Sequence, residues 1–324
     1  MILGGAIPAG LTLLAGLIFL VFGAEGLVRG GHSIGSRLEL TPLFMGLTFV
    51  AFGTSAPELA VSIQSGLQGK GDISVANVIG SNIFNIAVIL GITAVITPIK
   101  VYLSVIKRDI PVMIIVSAVA FLLTTQGEIR RVSGFFLTST LIIYITLTYY
   151  MARREMSVGA GPDPEDSVPR PEGSIWKEIV FVSGGIALMI VGSNLLIQSI
   201  SQIARLIGLS EAVIGLTVVA AGTSFPELAT SIVAALRRQP EMAVGNVVGS
   251  NIFNILGILG ISSLITPLTS PGIDRVDLGV MVIFAVILLP LAWTGKMLTR
   301  WEGGLLLCGY ALYLWWLWPS TPIS

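Results

Sequence analysis

Two stretches of this chain repeat each other almost residue for residue. The first begins Gly46-LTFVAFGTSAPELAVSI, continues through NVIGSNIFNI and ends at Thr97-Pro98. The second begins Gly215-LTVVAAGTSFPELATSI, continues through NVVGSNIFNI and ends at Thr266-Pro267, and the two align without a gap. Each copy sets one glutamate, Glu58 or Glu227, inside a long apolar run. A carboxylate in hydrocarbon is costly, so an ionisable residue there marks a functional site by default. Two of them at matching positions of an internal repeat point to a cation pathway where the copies meet.

The apolar runs have to be membrane spans. Of the 324 residues, 54% are hydrophobic and only 11% charged, whereas soluble domains carry about 25% charged residues. A spanning helix needs about 20 apolar residues. Ten segments qualify, at 7–30, 40–67, 73–97, 109–126, 133–152, 178–204, 210–236, 242–266, 276–294 and 301–318. The first has no basic residue before it and is itself repeated, so it reads as a span and not as a leader. The lone Cys308 excludes an intrachain disulfide and a multi-cysteine metal site. His32, beside Arg29, reads as a solvated loop residue, and no basic cluster suggests nucleic acid.

The repeat extends past the two signature stretches. Gly23 matches Gly192; DIPVMII from Asp109 matches DLGVMVI from Asp277; Arg131, Gly134 and Tyr144 match Arg300, Gly303 and Tyr313. The expected fold is therefore an all-α integral membrane protein of ten transmembrane helices in two five-helix repeats. Residues 1–152 form the first repeat and 178–324 the second, with a linker at 153–177. Five is odd, so the second copy starts from the opposite side and the repeat is inverted in space. Loop charges agree. One side holds most of the basic residues, among them Arg153, Arg154, Lys177, Arg237 and Arg238, and the other only Lys70, Arg130, Arg131, Arg205 and Arg275. The first side is expected to be cytoplasmic, with the linker, and both termini outside. The linker is rich in Pro, Gly and charge. Its Asp163, Glu165 and Asp166 lack the spacing of an EF-hand loop.

The signature segments are rich in oxygen donors. In Ala51-FGTSAPE, Pro57 removes a donor to the Gly53 carbonyl and crowds it, so the helix is expected to break just before Glu58. Backbone freed within a membrane has to face protein or a water-filled cavity. Thr54 and Glu58 share a face, with Ser55 adjacent. The second copy offers Ala220, Thr223, Ser224, Pro226 and Glu227. Farther on, Asn77, Ser81 and Asn85 line one helix face, and Asn246, Ser250 and Asn254 line its counterpart, with Asn82 and Asn251 to one side. Gly80, Gly91, Gly249 and Gly260 are expected to let helices approach closely. An all-oxygen cage with two carboxylates selects hard cations; transition metals would favour His or Cys. Ca²⁺ accepts six to eight oxygens in flexible geometry, whereas Mg²⁺ holds its waters. Na⁺ is close to Ca²⁺ in size, so both ions would compete for the same oxygens, which is what an antiporter requires. Glu25, matched by Asn194, breaks the symmetry and reads either as a charge near an ion entry path or as one at the membrane interface. Trp315, Trp316 and Trp318 read as an interfacial anchor.

These residues resemble the sodium/calcium exchanger family, within the wider calcium/cation antiporter group. GTSAPE and GTSFPE are similar to its signatures in the second and seventh spans, and the twice-written GSNIFN to those of the third and eighth. The resemblance covers the whole chain. It implies exchange of about three Na⁺ for one Ca²⁺ by alternating access in the plasma membrane of a prokaryote, with the first span of each half sliding across the core. No cofactor beyond the transported ions is expected, no obligatory protein partner is evident, and no nucleophile–base constellation points to an enzyme. By position, Glu58 and Glu227 would centre the calcium site, completed by the carbonyls of Thr54 and Thr223. Ala51, Thr54, Ser55, Glu58 and Ser81 would form one sodium site, and Ala220, Thr223, Ser224, Glu227 and Ser250 the other. Asn85 and Asn254 would lie between. Some members carry an acid where Asn254 stands, the potassium-dependent branch among them; this chain keeps two carboxylates in its cage. The alternatives are a divalent cation/proton antiporter, with the glutamates carrying protons, and a cation channel conducting downhill.

Overall fold

Long apolar runs give helices here, and the elements that carry GTSAPE, GTSFPE and GSNIFN are interrupted by breaks or π turns. The structure is a computed structural model that describes residues 2–157, 175–206, 220–270 and 272–317. The linker acids, the stretch from Gly215 to Val219 and Trp318 lie outside the described residues. In the first half, α1 (Ile2–Leu38) is followed by a broken element. It comprises α2 (Pro42–Met45), a π-helical turn (Gly46–Val50), α3 (Ala51–Thr54) and α4 (Ala56–Leu67). Next come α5 (Gly71–Phe84), a π turn (Asn85–Leu90) and α6 (Gly91–Ile96), then a π turn (Val105–Asp109) leading into α7 (Ile110–Thr124), and α8 (Arg131–Ser157). Among its described residues, the second half follows the same order apart from the π turn before α7. It has α9 (Ile175–Leu206), α10 (Ala220–Thr223), α11 (Phe225–Leu236), α12 (Pro240–Phe253), a π turn (Asn254–Leu259), α13 (Gly260–Ile265), α14 (Arg275–Trp293) and α15 (Arg300–Leu317).

Six helical stretches of the described residues are long and apolar enough to cross a membrane, or seven if the bent pair Pro42–Thr54 and Ala56–Leu67 is one span. Burial identifies the centre. In 18-residue apolar stretches within Gly71–Ile96 and Pro240–Ile265, 78% and 83% of the residues are buried, against 28% within Arg131–Arg154. Their Ile83, Ile86, Ile89, Ile252, Ile255 and Ile258 form the middle of one apolar core. The peripheral helices turn apolar side chains such as Phe135, Phe136 and Leu305 outward, as lipid-facing helices do. Trp315 and Trp316 are exposed, as an interfacial anchor requires.

Helices α1 and α9 pack antiparallel along a glycine seam. A Cβ at Gly23 would stand 2.7 Å from the Gly185 carbonyl oxygen, and one at Gly16 would stand 2.9 Å from that of Gly192. One end of the pair is joined by Arg37 and Glu178, 2.7 Å apart. Glu25 pairs with Arg29 one turn on and with Arg237 just beyond α11, so its charge is spent tying α1 to the rest of the molecule. His32 corrects the sequence reading. It lies inside α1, which runs on to Leu38, because Ile34 and Leu38 continue the apolar pattern and Gly30 and Gly35 fit against Val182 and Met45.

Among the described residues, four two-residue strands, unexpected in an all-α chain, tie the connections together. β1 (Ile99–Lys100) pairs antiparallel with β4 (Met297–Leu298), and β2 (Glu128–Ile129) with β3 (Leu268–Thr269). Each pair joins one half to the other, and the two pairs exchange under the repeat. The matched aspartates behave alike as well: Tyr144 donates to Asp109 at 3.0 Å, and Tyr313 to Asp277 at 2.8 Å. Among the glycines expected at close approaches, Gly91, Gly249 and Gly260 all meet neighbouring elements. Gly80 meets no described residue.

Candidate functional site

The break falls where the prolines require it. Ser55 (φ −82°, ψ 7°) and Ser224 (φ −89°, ψ 7°) leave the helical region, and Pro57 and Pro226 sit in the first turn of α4 and α11, where a missing N–H costs nothing. The first break bends its element by 46°. Each new helix therefore starts with its glutamate, Glu58 or Glu227, in its first turn, where the helix dipole favours negative charge. Both carboxylates are fully buried.

Each carboxylate is held by the opposite half. Ser55 Oγ donates to Glu227 Oε1 at 2.9 Å, and Ser224 Oγ to Glu58 Oε1 at 3.2 Å. The asparagines brace this arrangement. Asn77 Nδ2 donates to the Glu58 carbonyl at 3.3 Å and to Ser62 Oγ at 3.0 Å; Asn246 Nδ2 donates to the Glu227 carbonyl at 3.2 Å and to Ser231 Oγ at 2.9 Å. Thr54 Oγ1 reaches Asn246 Oδ1 at 3.3 Å, and Thr223 Oγ1 reaches Asn77 Oδ1 at 3.5 Å. One turn deeper, Asn85 Nδ2 donates to Asn251 Oδ1 at 3.0 Å, and Asn254 Nδ2 to Asn82 Oδ1 at 2.9 Å. Asn85 and Asn254 both open π turns, a local widening that recurs at functional sites.

After these bonds are made, three matched pairs of buried oxygens on the signature segments have no partner among the described residues: Glu58 Oε2 and Glu227 Oε2, Ser81 Oγ and Ser250 Oγ, and Asn85 Oδ1 and Asn254 Oδ1. No ion pair among the described residues engages either glutamate. Nor do three His, Cys, Asp or Glu side chains gather there as a metal-binding group, so the charge comes from two carboxylates and the rest of the donors are neutral. An unpaired buried carboxylate carries a penalty of several kcal/mol, on the order of 20 in the idealised limit. A hard cation among these oxygens would supply the missing charge and the missing partners together.

The other expected ligands divide. Thr54 and Thr223 are buried, and each bonds to the glutamate of the opposite half. Ala51 is buried, and its carbonyl already accepts from Ser55 N at 3.0 Å and Thr54 Oγ1 at 3.2 Å. Ala220 opens α10, and the Ser224 N–H goes to Ala221 O at 3.2 Å. Sequence reasoning missed Ser62 and Ser231, although each lies one turn after its glutamate. It also grouped Asn77 and Asn246 with the cage donors, whereas their amides are consumed by the protein.

A family model described as sodium/calcium exchanger protein matches residues 9–150 and 177–318. The chain is 34% identical to inner membrane protein YrbG of Escherichia coli (strain K12) over 96% of this chain and 97% of that one. It is 32% identical to sodium/calcium exchanger MaX1 of Methanosarcina acetivorans over 94% and 97%. Its fold is similar to solved structures of the sodium-calcium exchanger NCX_Mj. Against the one soaked with 2.5 mM Na⁺ and 0.1 mM Ca²⁺ the TM-score is 0.79 at 32% identity, covering 95% of this chain and 98% of that chain. Against the one soaked with zero Na⁺ and Ca²⁺ it is 0.80, covering 96% and 99%.

Proposed function

The chain belongs to the sodium/calcium exchanger family, multi-pass membrane antiporters rather than enzymes, and from that premise we propose that it exchanges about three Na⁺ for one Ca²⁺ by alternating access. The observation that carries this reading is the set of six buried, unpartnered oxygens contributed in matching pairs by the two halves. Glu58 and Glu227 centre the Ca²⁺ site with the carbonyls of Thr54 and Thr223. Ala51, Ser55 and Ser81 extend it towards one Na⁺ site, Ala220, Ser224 and Ser250 towards the other, and Asn85 and Asn254 lie between. The relative NCX_Mj is described by its extracellular ion exchange and induced binding-site occlusion.

The architecture in this proposal is ten spans in two inverted five-helix repeats, 1–152 and 178–324, joined by a cytoplasmic linker at 153–177. Both termini lie outside the plasma membrane of a prokaryotic cell. The strand pairs support this topology. Each joins two connections that the loop charges assign to one side, 99–100 with 297–298 and 128–129 with 268–269.

Purified protein in Na⁺-loaded liposomes, diluted into Na⁺-free buffer, is expected to take up ⁴⁵Ca²⁺. Uptake that follows only an imposed pH gradient would replace sodium coupling by proton coupling, and uptake with neither gradient would indicate a channel. Because three charges move against two, an inside-positive potential from K⁺ and valinomycin should speed Na⁺ exit and Ca²⁺ entry. Within the same assay, Ser55→Ala and Ser224→Ala should each raise the half-saturating Ca²⁺ concentration by about tenfold, the cost of one lost hydrogen bond to a buried carboxylate. Equal effects at the two serines are the signature of one shared cage; an effect at only one would divide it.

A further inference from the structure

We infer that Asn82 and Asn251 are positioning residues that decide which end of the Asn85 and Asn254 amides faces the cations, and that Met113 sets the polarity of one of these two chains. The inference rests on the exchanger reading and goes beyond its ligand set. An amide has a donor end and an acceptor end of nearly the same shape. If Asn85 or Asn254 turned over, its NH₂ group would face the cage and repel a cation. Something must hold each amide oxygen inward.

Two chains of hydrogen bonds do so, and each ends on a group that can only accept. In one chain, Asn85 Nδ2 donates to Asn251 Oδ1 at 3.0 Å, and Asn251 Nδ2 donates to the thioether of Met113 at 3.5 Å. A thioether has no proton to give. Asn251 must therefore turn its NH₂ to Met113 and its oxygen to Asn85, which leaves Asn85 Oδ1 free and buried on the cage side. In the other chain, Asn254 Nδ2 donates to Asn82 Oδ1 at 2.9 Å. Asn82 Nδ2 donates to the backbone carbonyl of Asn251 at 3.3 Å and lies 3.9 Å from the Met281 sulfur. A backbone carbonyl is also acceptor-only and is a far stronger acceptor than sulfur. The two methionines are repeat-matched and both fully buried, yet they are unequal. The Asn251 carbonyl fixes Asn82 with or without Met281, whereas the Asn251 side chain relies on Met113.

This inequality gives the test. Leucine is close to methionine in volume but accepts no hydrogen bond. Equilibrium ⁴⁵Ca²⁺ binding to the full-length protein in detergent is compared for wild type, Met113→Leu and Met281→Leu, with thermal unfolding and Na⁺-driven uptake in liposomes measured on the same preparations. Met113→Leu is expected to weaken Ca²⁺ binding about fivefold, with an unchanged unfolding midpoint and an unchanged maximal uptake rate; Met281→Leu should stay within about twofold of wild type. Asn251→Leu should weaken binding more than Met113→Leu. Equal shifts in the two methionine variants, or none in Met113→Leu, would overturn the polarity argument while leaving exchange intact. A wild type that binds Ca²⁺ without Na⁺-driven uptake would overturn the exchanger reading alone, and one that binds no Ca²⁺ would overturn both.

Discussion

Glu58→Gln and Glu227→Gln are each expected to lower sodium-driven Ca²⁺ flux by a hundredfold or more while leaving the folded protein as stable as wild type or more so. The two effects have one cause. Both carboxylates are fully buried and neither pairs with a basic side chain among the described residues. Removing one charge from a buried ionic cluster costs the bound state about 3–5 kcal/mol, which is between two and four powers of ten in affinity. In ion-free buffer the same substitution removes a buried charge whose like-charged neighbour lies across the cage, so the empty protein gains. Glutamine also keeps the Oε1 acceptor that receives Ser224 Oγ at 3.2 Å or Ser55 Oγ at 2.9 Å. Flux in liposomes and unfolding midpoints in Ca²⁺-free detergent check the two signs. A glutamine variant with full flux would remove its glutamate from the site.

Gly249→Val is expected to abolish transport by a different route. A Cβ there would stand 2.5 Å from the Leu47 carbonyl oxygen and 2.7 Å from its Cα. These are backbone atoms and cannot rotate aside, so α12 must move away from the Gly46–Val50 turn. Such overpacking costs about 1–3 kcal/mol or more. The movement starts one residue before Ser250, whose oxygen belongs to the proposed cage. Lower thermal stability together with lost uptake is the expected pair of results. Gly304→Ala on α15, where nothing lies within 4 Å, is expected to leave both unchanged. Wild-type behaviour of Gly249→Val would show that this close approach is not needed for exchange.

The residues of the candidate site were more legible in the sequence than the contacts that hold them. The repeat located both glutamates, and Pro57 and Pro226 located the breaks, because a missing donor acts on its own helix and is read locally. The Ser81 and Ser250 hydroxyls and the Asn85 and Asn254 amides were legible from spacing along one helix face. Spacing says nothing about partners on other elements. Ser55 reaching Glu227, Ser224 reaching Glu58, and the Asn85–Asn251 and Asn254–Asn82 bonds all join residues from opposite halves, so they arise only when the halves dock. Asn77 and Asn246 show the same gap. Their position on the donor face was right, but contact with Ser62 and Ser231 takes their amides out of the cage. His32 was misplaced because it lies beside Arg29, just past the apolar run at 7–30, and packing of Gly30 and Gly35 against Val182 and Met45 keeps that stretch helical. The strands at Ile99 and Leu298 are too short to leave any alternating pattern.

The central claim is that one cage, built by both halves, serves Na⁺ and Ca²⁺ in competition. Equilibrium ⁴⁵Ca²⁺ binding to purified protein, titrated with Na⁺ at constant ionic strength using choline, tests it most directly. The account predicts one Ca²⁺ per chain and an apparent dissociation constant that rises with more than the first power of Na⁺ concentration, because several Na⁺ must occupy oxygens that one Ca²⁺ holds. Calcium binding that ignores Na⁺ at matched ionic strength would contradict it.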